Sequence, residues 1–512
     1  MADIPARPSL ARNILSNWGG FAFSAVVNFL LSPYIVHTLG DTVYGAWVLL
    51  VSLVGYLGLL DLGVRGAVTR YVARFHAAGD HAEARLVASS AVALFLGAGL
   101  VAMALSGVIA LLMGSLFHVP LEFQRVARIV ALIGGVNVAA SLVGGVFGGV
   151  LVALQRFEYT NAIDVSLNAL RALAIVLALR SGHGLLVLAF VQLGVALLQG
   201  LAGWRIVRRL YPELTFHLRD VDPAHVRLIF SFGLAASLLQ AMGSLMVYSD
   251  SLVIGALLPV GLITFFAIGA SLVEYGRAIV AGVSHTLLPW MSASEGRGDQ
   301  AAQQHVLLTG GRLSTLIILP VAVTFLIRGP SFIGLWMGPQ YVALSGNVLR
   351  VLSLTLWCIA GYQIVGASML GVSRHTGLIP IFVAEALCNV GLSILWVRAY
   401  GVIGSAWGTV VPRLVASLFV GPWYVRRNLG VPLRTFWGSV FVQPAVAMIP
   451  FALGSYAVER LWPAEHLLWY FAQIALTLPL AVVGVWAVAL TPPERRAWSS
   501  RLRRLAVGLG GA

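Results

Sequence analysis

Five charged side chains stand where nearly everything around them is apolar: Arg171, Glu274, Arg277, Glu385 and Arg413. A guanidinium is permanently charged and planar, and its fork of N–H donors matches the oxygens of a carboxylate or phosphate. In the stretch SLVEYGRAIV, residues 271–280, Glu274 and Arg277 are three apart. On a helix they share a face and can pair. Arg171 has Asp164 one to two turns away, and Arg413 follows Pro412, where a kink would free backbone carbonyls. Glu385 is a carboxyl that could stay neutral or titrate. Two further groups lie towards the ends of apolar runs, Asp61 and Arg65 in LDLGVRG and Asp250 in YSDS, where snorkelling or gate pairing is expected.

Other chemistry is excluded by absence. The chain contains no lysine, so a GxxxxGK[ST] phosphate loop and a Schiff base cannot form. No HExxH, no GxSxG and no zinc spacing accompanies the eleven histidines and two cysteines, Cys358 and Cys388. Both cysteines are expected to be packing residues. We therefore expect no catalytic residues, no metal and no cofactor.

The elements that position these groups must be membrane helices. Hydrophobic residues make up 59% of 512 and charged residues 10%, against about 25% charged in soluble domains. About fourteen apolar runs are long enough to span a bilayer as helices. All 33 basic residues are arginine. With the N-terminus inside, 23 fall on the cytoplasmic side and seven, Arg328 and Arg350 among them, on the other. Both termini are then cytoplasmic, and the net charge of +14 reflects topology and contact with anionic lipids rather than nucleic acid. The first run is preceded by no cleavable signal pattern. In the tail, Trp498, Leu502 and Leu505 share a helical face surrounded by arginines, as expected of a helix lying on the inner leaflet.

The chain repeats itself. Gly45 matches Gly261, Arg156 matches Arg374, Gly184 matches Gly401, and Arg208-Arg209 match Arg426-Arg427, at offsets of 216 to 218. The expected organisation is a cytoplasmic segment 1–13, a six-helix bundle 14–210, a linker 211–227, a second six-helix bundle 228–430, two extra spans within 431–490 and a tail 491–512. Six spans per half preserve orientation, so the halves should be pseudo-symmetric about the membrane normal, with a substrate path between them. Within the first half, SLVGGVFGG at 141–149 carries glycines four apart, suited to close helix packing.

On these features the whole chain resembles the polysaccharide-biosynthesis flippases of the MOP superfamily, relatives of the MATE exporters. The resemblance is carried by LSPYIVHTLGDTVYGAWVLL at 31–50, LGLLDLGVRGAVTRYVAR at 57–74, LVALQRFEYTNAI at 151–163, YSDSLVIGALLPVGLITFFAIGASLVEYGRAI at 248–279 and FIGLWMGPQY at 332–341. It implies two six-helix bundles that expose a central cavity alternately and move an undecaprenyl-diphosphate-linked oligosaccharide between leaflets. The partners implied are that lipid, a polysaccharide polymerase and glycosyltransferases. Relatives with a cationic cavity often place arginines on the first span; this chain has Asn17, Ser24 and Asn28 there.

Arg277, Glu274, Arg171 and Arg413 are the expected substrate contacts, and Glu385, Asp61, Arg65 and Asp250 the expected ion-coupling or gating groups, with a proton or sodium gradient or the membrane potential as energy source. Two alternatives are a MATE-like exporter of cations and a membrane polymerase or ligase. The first would want an acidic cavity, whereas three mid-span arginines face two glutamates. The second needs an extracytoplasmic platform, and the longest outer connection, about 327–346, is largely apolar.

Overall fold

A computed structural model of the chain describes residues 10–490, together with 492, 494–496 and 499. Among these residues every regular element is helical, and 13 helices are long and apolar enough to cross a membrane. The remaining expected span, 228–256, lies in a single helix whose counted apolar part is Ala241–Leu257. The protein is thus an all-α, multi-pass membrane protein. The proposed interfacial helix at Trp498, Leu502 and Leu505, and the segment 1–9, lie outside the described residues.

Contacts divide the chain into two units, Met1–Thr264 and Phe265–Ala512. The first contains α1 Leu10–Leu39, α2 Asp41–Leu57, α3 Val64–Ala77, α4 His81–Leu116, α5 Leu121–Ala153, α6 Phe157–Arg180, α7 Leu185–Leu210 and α8 Pro223–Leu257. The second contains nearly all of α9 Leu262–Gly296, then α10 Gln300–Met337, α11 Leu344–Gly371, α12 Ile379–Tyr400 and α13 Val402–Val415. It continues through α14 Gly421–Leu429, α15 Leu433–Trp437, α16 Gln443–Ala447, α17 Ile449–Leu461 and α18 Leu467–Gly484. The division by contacts falls one span later than the start of the second sequence repeat, because α8 packs on α2, α3 and α4.

Local sequence sets the helix ends. Asp80 caps α4 by accepting from the Glu83 amide at 3.0 Å, Asp222 caps α8 ahead of Pro223, and Asp299 caps α10. Leu62 and Gly63 both adopt left-handed backbone, breaking the second apolar run into α2 and α3 within LDLGVRG. The sequence repeat has a structural counterpart in one turn. Gln155 and Ser373, each just before a landmark arginine, have φ of 59° and 55°. The Arg156 amide then donates to Leu151 at 3.0 Å and the Arg374 amide to Met369 at 2.8 Å.

Glycines fix the closest approaches. A Cβ at Gly45 would lie 2.2 Å from the Val260 carbonyl oxygen, so α2 meets the turn between α8 and α9 only because that residue has no side chain. Gly144 and Gly200 bring α5 and α7 together, as the small-residue spacing leads one to expect.

One loop expectation is corrected. The connection expected on the outer side is much shorter than 327–346: α10 runs on through Pro330 to Met337, and α11 begins at Leu344. Arg328, expected in that loop, has a side chain 0% exposed. Its Nε donates to Glu459 of α17 at 2.8 Å, its Nη2 donates to Gln473 of α18, and its guanidinium lies 4.5 Å from the centre of the Tyr470 ring. The helix runs through the proline and buries Arg328 against the two added spans. At the other end of α10, Arg312 holds Glu494 and donates to the Ala489 carbonyl at 3.1 Å. The two extra spans are therefore gripped by α10 through two arginines.

Candidate functional site

Gly269 and Gly276, seven apart, lie on the packed face of α9. A Cβ at Gly269 would meet the Leu349 amide nitrogen at 3.0 Å, and one at Gly276 would meet Leu356 and Ile318 at 3.0 and 3.2 Å. Leu272, Val273 and Val280 are buried on that same face. Helical periodicity then turns Glu274 and Arg277 away from it. They form a bidentate pair, with Arg277 Nε donating to Glu274 Oε2 at 2.7 Å and Nη2 donating to Oε1 at 2.6 Å. The Arg277 side chain is 34% exposed and that of Glu274 51%.

A charged pair this open sits within a helix apolar enough to cross a membrane, where an arginine against hydrocarbon costs about 2.5–3.5 kcal/mol even on insertion scales. The Glu274 carboxylate fills the guanidinium fork in the bidentate geometry that a phosphate would also use.

The second mid-span pair of this unit is built differently. Arg413 Nε lies 2.8 Å from Glu385 Oε1, with side chains only 13% and 4% exposed. Tyr362 of α11 donates its hydroxyl to Glu385 Oε2 at 2.7 Å, and the Arg413 guanidinium stacks 4.3 Å from the centre of the Tyr362 ring. Beside it, Asn389 donates to Thr409 Oγ1 at 2.9 Å, and Gly408 lets Ser393 press against α13. Three helices, α11, α12 and α13, thus close around one ion pair. Pro412 and the widened turn at Ala416–Val420 lie alongside, but the guanidinium is directed to Glu385. Both Glu385 oxygens act as acceptors, the arrangement that suits a carboxylate rather than the neutral acid. The two pairs are linked through α11, where Gln363, next to Tyr362, donates to the Arg277 carbonyl at 3.4 Å.

In the first unit Arg171 does not meet Asp164. Its Nη2 donates to Asn28 Oδ1 of α1 at 2.6 Å and to Asn168 Oδ1 at 2.8 Å, while Asp164 accepts from Gln199 of α7 at 3.0 Å. Asn28, the first-span residue that departs from the basic pattern, is therefore an arginine partner. Asp61 and Arg65 pair with each other at 3.5 Å. Gly145 makes room for them, since a Cβ there would lie 2.7 Å from Arg65 Nη2. Asp250 is buried within α8. Cys358 is buried as expected, but Cys388 is exposed, so packing does not account for it.

Reading the sequence alone misses Tyr362, Asn168 and the Arg328 network. Asn168 stands three residues before Arg171, a helical spacing that would have revealed it. Tyr362 and Gln473 carry no local signal, because their partners lie 23 and 145 residues away. Among the described residues no group of three or more His, Cys, Asp or Glu side chains could hold a metal ion.

Residues 10–295 match the family described as "Polysaccharide biosynthesis protein". A Shigella flexneri chain named as a candidate O-antigen transporter is 22% identical over 436 residues, covering 82% of this chain and 98% of that one. Among solved structures, lipid II flippase MurJ in an inward closed conformation aligns at 12% identity with a TM-score of 0.71, covering 93% of this chain and 98% of its own. An inward-facing multidrug resistance MATE family transporter of the MOP superfamily aligns at 18% identity with a TM-score of 0.67, covering 80% and 94%. The two structures establish a fold shared with MOP superfamily transporters.

Proposed function

The chain belongs to the polysaccharide biosynthesis protein family, and from that premise we propose that it is a flippase carrying an undecaprenyl-diphosphate-linked oligosaccharide across the bacterial inner membrane by alternating access. One observation carries the reading: the half-open Glu274–Arg277 pair at mid-span. A lipid diphosphate must move its charge through a low-dielectric region, and a guanidinium released from a neighbouring carboxylate offers it two parallel hydrogen bonds. Each mid-span glutamate of the second unit already has an arginine partner, an arrangement that favours an anionic over a cationic cargo.

In this reading Glu274 is the resting counter-ion of Arg277, and Glu385 with Arg413 positions α11 to α13 around the path. Arg171, tied to Asn28, offers a further cationic contact. Both termini are cytoplasmic. A polymerase and glycosyltransferases act on the same lipid, and transport draws on a proton or sodium gradient or the membrane potential. A cysteine replacing Glu465 should then react with an impermeant maleimide outside the cell, and one replacing Arg427 should not. Both belong on a Cys388→Ser background, because Cys388 is exposed.

The direct test is reconstitution into liposomes with a fluorescent undecaprenyl-diphosphate oligosaccharide whose leaflet is read by an impermeant quencher. The protein should accelerate equilibration between leaflets. No acceleration under any imposed gradient, together with accumulation of a cationic dye, would overturn the proposal in favour of a cation exporter.

A further inference from the structure

The connection from α7 to α8 is not a slack tether. Tyr211 and Leu214 are buried, and Phe216 meets Phe147 edge-on at 5.2 Å. The rest is laid along the start of α4. The Tyr211 hydroxyl lies 2.6 Å from His81 Nδ1. The His217 and Asp222 amides donate to Ser89 and Ser90 at 3.2 Å each, and Arg85 pairs with Asp220 at 3.2 Å.

At the end of this strap His225, its side chain 12% exposed, sits between two carboxylates. Its Nδ1 contacts Asp222 Oδ2, and its Nε2 lies 2.8 Å from Glu83 Oε2. A neutral imidazole has one N–H and one lone pair, so one carboxylate would face a lone pair; only the imidazolium donates to both.

We propose that His225 is a protonation latch that ties the first turn of α8 to α4 when charged and releases it when neutral, making this end of the protein responsive to pH. α4 presents Glu83, with Asp80 in its cap and Arg85 turned to Asp220. The connection presents Asp222, and α8 itself carries Arg227 two residues on. The basic groups in the last turn of α3 are engaged elsewhere, Arg74 over Phe75 and His76 against Tyr211.

Burial works against the charged ring, but its hydrogen bonds to Glu83 and Asp222 outweigh it, and the histidine is held above its ordinary value of about 6.5. A raised folded-state value means the latch is complete below the ordinary one and is lost as pH rises through the raised one. Asp222 is held below the ordinary carboxylate value, first by its hydrogen bond with His225 and then by the Ala224 amide, so its share fails only in acid. The latch therefore opens on the alkaline side.

The experiment is a spin-label distance between positions 82 and 224, both exposed, in the reconstituted full chain with Cys358 and Cys388 replaced by serine. Wild type should show one short distance at about pH 6 and a growing longer population towards about pH 9, with a midpoint above the ordinary histidine value. His225→Gln should show the longer population throughout. Glu83→Gln keeps the ring and the shape of its partner, and should lower the midpoint by about one pH unit. A wild-type distribution that does not change with pH, or a His225→Gln distribution matching wild type at low pH, would overturn the latch. Because distance rather than transport is read, failure here is distinct from failure of the flippase reading.

Discussion

Two arginine–glutamate pairs in the second unit share chemistry and differ in surroundings. Glu274–Arg277 is made by one helix, i to i+3, and is a third to a half exposed. Glu385–Arg413 is made between two helices, receives a third from Tyr362, and is nearly sealed. In the proposed function the first exchanges its internal partner for an anion from a path; the second is closed to such exchange by its burial. Mid-membrane arginine is therefore not one signal but two, and burial separates them.

The largest expected effect comes from breaking the sealed pair. Arg413→Ala leaves Glu385 buried beside a phenol and a void, and should cost about 3–5 kcal/mol, read as a large loss of thermal stability. The same replacement at Arg277 removes a solvated i,i+3 pair and should cost only about 0–1 kcal/mol. Equal losses of melting temperature would erase the distinction.

Next in size is the recovery. Replacing Arg413 and Glu385 together, by methionine and leucine, should restore most of the lost stability, because the desolvation of two charges is removed along with their attraction. Arg328→Met should be nearly as costly as Arg413→Ala, about 3 kcal/mol or more, because it strands Glu459. It should loosen α17 and α18 first, measurable as faster hydrogen exchange there than in α11.

The smallest chemical change is Gly276→Ala, whose new methyl would press on Leu356 and Ile318 side-chain ends at 3.0 and 3.2 Å. A cost of about 1 kcal/mol is expected, with the Glu274–Arg277 geometry shifted by the tilt of α9. Reduced transport with an intact pair would sharpen the view that the packed face sets the aim of the open one.

How far the sequence reveals these features follows from the range of each interaction. The apolar runs, the arginine asymmetry and the recurring turn at Gln155 and Ser373 are local, and composition with spacing exposes them. Glu274–Arg277 is local too, and its pairing follows from three-residue spacing. Arg413–Glu385 joins residues 28 apart, and the proline next to the arginine draws attention to freed backbone carbonyls rather than to that carboxylate. Arg328 reads as a loop residue because Pro330 and Gly329 resemble a stop, yet α10 runs through both and sets the guanidinium against a carboxylate of α17 and an amide of α18. Those partners lie more than a hundred residues away, beyond the reach of local spacing.

The most direct measurement is a double-mutant cycle on the open pair, reading translocation of the diphosphate-linked oligosaccharide and melting temperature together for Arg277→Ala, Glu274→Ala and both. If Arg277 reads the diphosphate, Arg277→Ala and the double variant should each lose about tenfold to a hundredfold in rate, the worth of one charge-assisted bidentate contact, with little change in melting temperature. Arg277→Lys should recover only part of it, keeping the charge without the planar fork. A stable double variant that translocates at the wild-type rate would contradict the account, and would make Glu274–Arg277 a structural pair like its sealed counterpart.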